Sequence, residues 1–569
     1  MVPPAQPPAG RRDRTSWVPL VGLTTGLVVV ETAVLSALGP VTGLALAPQV
    51  SAPAPLDLFH DLRWLAVYTP SWAVFVVALG ALVALRTVAT AAIVGWAWPP
   101  DLPMPPWRAR LRQAAVATAI VVAVLVPWVV LSFATAVFSL SWTWVVAVPV
   151  VVMVSTIVHG AAVRPEWWRI RPPRRAVGAV LAAFGALTLL GAVVAAGPAW
   201  TRWPVALTAG IVNAWCWVGV VDASARATVP GRRPFAVVAL AAVLVLVVGG
   251  AAIGFTVAIA LERDRPPAPR AAALGASDGP PVMVVKGFNS RWDGIHRRWV
   301  PGDFRVRRYS YAGVDAAGHP RPYGRRATHA SVRTLARRLR AQVDGLAAST
   351  GQPVGIVAES EGALVALTYV LGSPDAPVSS IVALSPLVAP GRVSYPAPGR
   401  VGWGVAAGAA LDAVAAVVGH LGPVEVRTDT PLFRSIVEEA PLFQALLRCR
   451  APGVRVLAVL PLDTGLAAPR PAPVEIPYVV RPAFHGGLLG DDATARVVAR
   501  TLRGRAVDST TSHAEGWRGT ERVVQALASP WQVPSLVPSL EPAWRDQPDP
   551  GDCPAVRRAL RRYLAGTSG

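Results

Sequence analysis

One lysine, Lys286, serves this whole 569-residue chain. Acidic residues are scarce as well, 33 against 54 basic ones, which leaves a formal net charge of +21. Charged residues amount to 15 %, where soluble domains carry about 25 %. That shortage excludes an ordinary soluble globular chain. The basic excess is almost all arginine and accompanies abundant Ala, Val, Gly and Pro, a usage typical of GC-rich coding sequence. It is therefore not read as nucleic-acid binding, and no nucleic-acid motif accompanies it. Three cysteines are too few for a disulfide scaffold. Metal-ligand spacing, a phosphate loop and a dinucleotide fingerprint are all missing, so no cofactor is expected.

What is present is apolar sequence, unevenly spread. Residues 1–262 hold nearly all the long uncharged runs. A spanning helix needs about 20 apolar residues, and seven stretches qualify: 18–38, 70–97, 113–135, 143–163, 176–197, 204–224 and 235–260. Loops at the N-terminus and after the second, fourth and sixth stretches are rich in arginine, and the intervening loops are poor in it. Basic loops stay cytoplasmic. The N-terminus is thus expected inside and residues 263–569 outside. Ala45-Leu46-Ala47 resembles a leader cleavage site, but Glu31 interrupts the preceding run and Pro48 would follow the cut, so the first stretch is read as a span. Glu31 and Arg86 fall inside spans one and two at comparable depth. Charge there is costly and is usually paired, which gives an expected Glu31–Arg86 ion pair; snorkelling of Arg86, or an early end to span two, is the other reading.

Residues 263–280 read as a Pro- and Ala-rich linker. After it, short apolar strand-like runs at 281–287, 353–358, 379–386, 454–461 and 476–482, with an alternating one at 304–311, are interleaved with helical patterns at 331–349, 362–371 and 492–502. Buried strands alternating with helices imply a mostly parallel sheet in a three-layer α/β domain, here 281–505. Residues 506–569 form a C-terminal extension, expected to pack on that domain. Between the first helix pair lies AESEG, residues 358–362. A strand, then small-x-Ser-x-Gly, then a helix is the pattern of a nucleophile elbow. The sharp turn demands small residues two before and two after the serine, and Ala358 and Gly362 comply.

At these residues the chain resembles the α/β-hydrolase family of serine hydrolases over roughly 280–505, with Ala358 where glycine is commoner. The resemblance implies Ser360 as nucleophile. It implies a carboxylate and then a histidine later in the chain, each just past a strand. Asp463 in LPLDTG and His485 in PAFHGG occupy those places. His513 is a rival base, but it follows a helix. The resemblance also implies an oxyanion hole from the backbone N–H of Glu361 and of Phe288 in the loop after the first strand. Residues 387–452 would be a cap or lid, apolar in VGWGVAAGAALDAVAAVVGHLG. Such a lid beside the lipid bilayer suits a lipid or other acyl-ester substrate. Cys449 and Cys553 both lie in the half read as extracytoplasmic, where disulfides persist, and are expected to pair. Two further functional readings stay open: a non-catalytic binding or scaffold protein, since Glu359 and Glu361 flank the serine, and an accessory to envelope transport.

Overall fold

The computed structural model describes residues 14–38, 43–141, 160–228, 279–294, 304–421, 426–468, 474–489, 491–505 and 512–566, with isolated positions at 148, 151, 154, 155, 158 and 470. Packing divides the chain into two units. The first takes residues up to Ser132, Val145–Gly250 and Ala526–Pro534; the second takes Phe133–Trp144, Ala251–Gln525 and Ser535 onward.

The first unit is helical. It comprises α1 (Arg14–Ala37), a 3-10 turn at Leu44–Gln49, α2 (Leu56–Val67), α3 (Trp72–Trp96), most of α4 (Trp107–Phe138), α5 (Arg174–Ala196) and α6 (Arg202–Ala225). Among the described residues, five helices are long and apolar enough to cross a membrane: α1, α3, α4, α5 and the stretch around α6. Of the seven expected spans, 235–260 lies outside the described residues and 143–163 does so in large part. α6 packs on both α1 and α5. Small residues permit this approach: Gly210 of α6 faces Thr25 of α1 so closely that a Cβ would sit 2.3 Å from Thr25 Cα. Thr24 Oγ1 reaches across to the Gly210 carbonyl at 2.8 Å. On α3, Val74, Val76, Val77, Leu85 and Val88 are exposed, the outward apolar surface a lipid-facing helix requires.

The expected Glu31–Arg86 ion pair does not form. Glu31 meets His60 at 2.8 Å, and Arg86 meets Asp61 and Asp57. The reason is α2. Its stretch lies between the first two expected spans, yet it forms a helix that brings two carboxylates and an imidazole between the pair.

The second unit holds a six-stranded sheet. Its elements are β1 (Pro281–Val285), β2 (Arg305–Arg308), α7 (Val332–Thr350), β3 (Val354–Glu359), α8 (Glu361–Gly372), β4 (Val378–Leu384), α9 (Val405–Leu421), α10 (Pro431–Glu438), α11 (Ala440–Gln444), β5 (Arg455–Pro461), β6 (Tyr478–Arg481), α12 (Asp492–Leu502), α13 (Ser512–Ala528) and α14 (Cys553–Ala565). The strand order is β2-β1-β3-β4-β5-β6, and every pair is parallel. Val282, Val284, Val357, Val382 and Val459 share one core with Val498 and Leu502 of α12. Side chains alternate along a strand, so the intervening positions of β1 and β3 turn toward α7 and α8, which pack there. β3 is buried along its length, which is why it reads as an unbroken apolar run rather than an alternating one.

Cys449 and Cys553 are joined, with their Cα atoms 5.3 Å apart and a sequence separation of 104. The bridge ties the start of α14 to the segment just ahead of β5. Closing a loop of that length removes much freedom from the unfolded chain. Replacing both cysteines by serine is expected to lower the unfolding free energy by about 2–5 kcal/mol. Denaturant titration of the full chain, oxidised against the double variant, checks this.

Candidate active site

Strand order reverses between β1 and β3, because the chain goes from β1 outward to β2 and then returns to the other side of β1 for β3. Ligands of open parallel sheets collect outside the strand C-termini at such a switch point. The loops after β1 and β3 carry Lys286-Gly287-Phe288 and Ser360.

The two loops press together. A Cβ on Gly362 would lie 2.7 Å from the carbonyl oxygens of both Val285 and Lys286. A Cβ on Gly287 would lie 3.1 Å from Ser360 Cβ. Gly362 has no room for a side chain, and one at Gly287 would press on Ser360. Ser360 itself has φ 54° and ψ −118°, a left-handed conformation that L-residues avoid. The turn from strand to helix is therefore tight and strained. Its cost is carried by the sheet: Ser360 N–H still donates to the Leu384 carbonyl at 2.9 Å.

Ser360 Oγ lies 2.9 Å from His485 Nε2. His485 sits in the loop after β6, and both residues are buried. Asp463 follows β5. Its Oδ2 accepts the backbone N–H of His485 at 3.1 Å, so the carboxylate grips the histidine by its main chain. The Ser141 hydroxyl lies beside the same carboxyl. Burial pushes Asp463 up to about 6, with the nearby Ser141 hydroxyl and the N–H of His485 opposing. Among the described hydrogen bonds, none uses the backbone N–H of Phe288 or of Glu361. Glu361 opens α8, where the first N–H groups have no partner within the helix.

Both flanking glutamates are buried. Glu359 Oε2 is 3.9 Å from Lys286 Nζ. Glu361 has no hydrogen-bond partner at either oxygen, and burial holds its carboxyl well above the usual range. Burial thus disfavours a negative charge on Glu361 beside the serine.

An aromatic row borders the loop after β1. Phe288 stacks on His329 at 4.9 Å and meets Phe433 of α10 at 5.1 Å; Phe433 in turn meets Phe138 at 4.3 Å. Phe138 ends α4, and its neighbours are fixed to the segment after β4, where Gly391 N–H donates to the Val137 carbonyl at 2.8 Å. No local pattern signals that Phe138 and Ser141 reach this region, since both fall in the short loop expected between the spans 113–135 and 143–163. His329 is buried and contacts Asn289 at 3.0 Å, whereas His319 is exposed beside Asp315. The side chain of His513 lies outside the described residues.

No protein-family model matches this chain, and no curated protein emerges as its relative.

The strain at Ser360 has a direct test. Alanine ordinarily stabilises over glycine by about 0.4–1 kcal/mol, but a left-handed residue carries about 1–3 kcal/mol of strain that glycine escapes. Ser360→Gly is therefore expected to be more stable than Ser360→Ala. Thermal unfolding of the two variants gives the sign.

Proposed function

We propose that this is a membrane-embedded serine hydrolase of the α/β-hydrolase type, acting on an acyl ester with its second unit on the outer side. The observation that carries the reading is the 2.9 Å contact between Ser360 Oγ and His485 Nε2 at the switch point of a parallel sheet. A serine hydroxyl is a weak nucleophile until a base takes its proton. His485 is that base. Ser360 Oγ attacks the ester carbonyl as its proton moves to Nε2. The carbonyl oxygen, now an anion, is received by the N–H groups of Phe288 and Glu361. The imidazolium then gives its proton to the leaving alcohol, and water releases the acid by the reverse sequence. Asp463 supplies the negative charge that steadies the imidazolium and holds its backbone.

The aromatic row of Phe288, Phe433 and Phe138 supports an apolar acyl group on the substrate. The link to a bilayer lipid comes from the spans and from the apolar α9 in the insertion between β4 and β5. The outward placement comes from the alternation of basic loops.

Fluorophosphonate labelling tests the reading. The full chain is expected to react, and Ser360→Ala is not; a wild type that stays unlabelled removes the proposal. Asp463→Asn is expected to slow labelling by about 10²–10⁴-fold, as in related triads.

The pH profile provides a second check. Asp463 must be ionised to balance the imidazolium, and its folded value is raised above 3.8 to about 6. A raised carboxyl binds its proton more tightly when folded, so ionising it costs stability as pH climbs toward 6. The labelling rate is expected to rise with pH through about 6 as Asp463 ionises and the His485 ring frees its lone pair, and Asp463→Asn is expected to shift that limb without abolishing it.

A further inference from the structure

We propose that the first unit carries a proton-binding site, formed by Glu31, His60 and Asp61 and braced by Arg86, so that these helices do more than anchor the chain. His60 of α2 is buried, and both of its ring nitrogens face carboxylates. Nε2 is 2.8 Å from Glu31 Oε1 on α1, and Nδ1 is 2.9 Å from Asp61 Oδ1. A neutral imidazole has one N–H. With both carboxylates ionised, its other nitrogen would turn a lone pair onto a carboxylate oxygen. The geometry is satisfied only when the group holds one extra proton, on the ring or on a carboxylate.

The surrounding charges agree. Asp57 and Asp61 face Arg86 of α3, whose Nη2 donates to Asp61 Oδ1 at 2.7 Å and whose Nη1 is 3.3 Å from Asp57 Oδ2. Arg63, on the same helix as His60, adds a second guanidinium within electrostatic reach of Glu31 and Asp61. Three carboxylates thus face two arginines, and an imidazolium at His60 brings the group to neutrality. Net charge is expensive in a low-dielectric setting. Burial alone would lower the imidazole's affinity for its proton, but Glu31 and Asp61 outweigh burial and leave it raised.

The proton is also able to leave. Trp64 Nε1 lies 3.3 Å from His60 Nε2. That contact becomes a hydrogen bond only once Nε2 has given up its proton, so the ring has a partner in either state. Glu31 is the most open member, at 15 % exposure against 3 % for His60, and it offers the route of exchange. The linkage has a definite sign. A raised imidazole stabilises the α1–α2 contact at low pH, and that contribution is lost as pH rises through the raised value.

Selective ¹⁵N-histidine NMR of the full chain in lipid nanodiscs, titrated from acid to alkali, tests this. Both His60 nitrogens are expected to be protonated at neutral pH, and one is expected to lose its proton on alkaline titration with a midpoint above the free-imidazole value of about 6.5. Glu31→Gln is expected to lower the midpoint by at least about one unit, a tenfold loss of proton affinity. A wild-type midpoint at or below the free value overturns the proposal. So does a ring that never titrates, or a midpoint unmoved by Glu31→Gln. The wild-type titration decides alone should the variant misfold.

Discussion

The second unit depends on how closely two loops approach where the sheet changes direction. The loops after β1 and β3 touch backbone to backbone at Gly287 and Gly362. That contact lets Ser360 stand at the strand end in a strained conformation, with Phe288 and Glu361 on either side. Parallel register makes the approach possible: Val285 pairs with Ala358, so both strands end at one level. Beyond β4 in the same sheet, β5 and β6 run parallel to them, and the loops that follow bring Asp463 and His485. The meeting of these side chains is thus a product of topology. Each side chain comes from a different strand, and none needs to be near another in sequence.

The first unit meets a different constraint. Charges inside an apolar helical unit must find partners, and here they find them through a short helix between two spans. The same helix also holds a returning piece of chain. Arg63 donates to the carbonyls of Pro530 and Gln532 at 3.0 and 2.8 Å, and Gln49 donates to Pro530 at 2.6 Å. Trp531 lies between Phe184 and Phe59, with its indole N–H on Thr188. Gly191 leaves room for Pro530, since a Cβ there would approach it within 2.4 Å. A buried guanidinium on main-chain carbonyls is costly to undo, because its removal leaves those acceptors unsatisfied.

Much of this architecture was legible in advance. Inner strands such as β1 and β3 fall where the apolar runs VMVV and VGIV promised them, because strands buried on both faces need continuous apolar sequence; the edge strand β2 follows the alternating FRVRRYSY instead. The elbow at 358–362 was visible because small residues at fixed spacing have a steric cause. The order of Ser360, Asp463 and His485 along the chain could be read, but their distances could not. α2 was missed because its two aspartates and arginine looked like loop polarity, although Leu56, Phe59, Leu62 and Ala66 keep helical spacing. The Glu31–Arg86 pairing failed with it. Nothing local in SPWQV marks it as part of the helical unit, and nothing in the end of α4 marks Phe138 and Ser141 as neighbours of the second unit's loops. Contacts made across hundreds of residues leave no periodic trace.

The solitary lysine has a practical corollary. Lys286 directly follows β1, a strand buried throughout and paired on both sides, and it marks the chain's one peptide bond open to a lysine-specific endoprotease. Such an enzyme has nothing to cut while β1 stays paired. Once the sheet opens, a single scission yields 1–286 and 287–569, two pieces of nearly equal length, and the intact fraction on a gel becomes a direct count of molecules whose sheet is still closed.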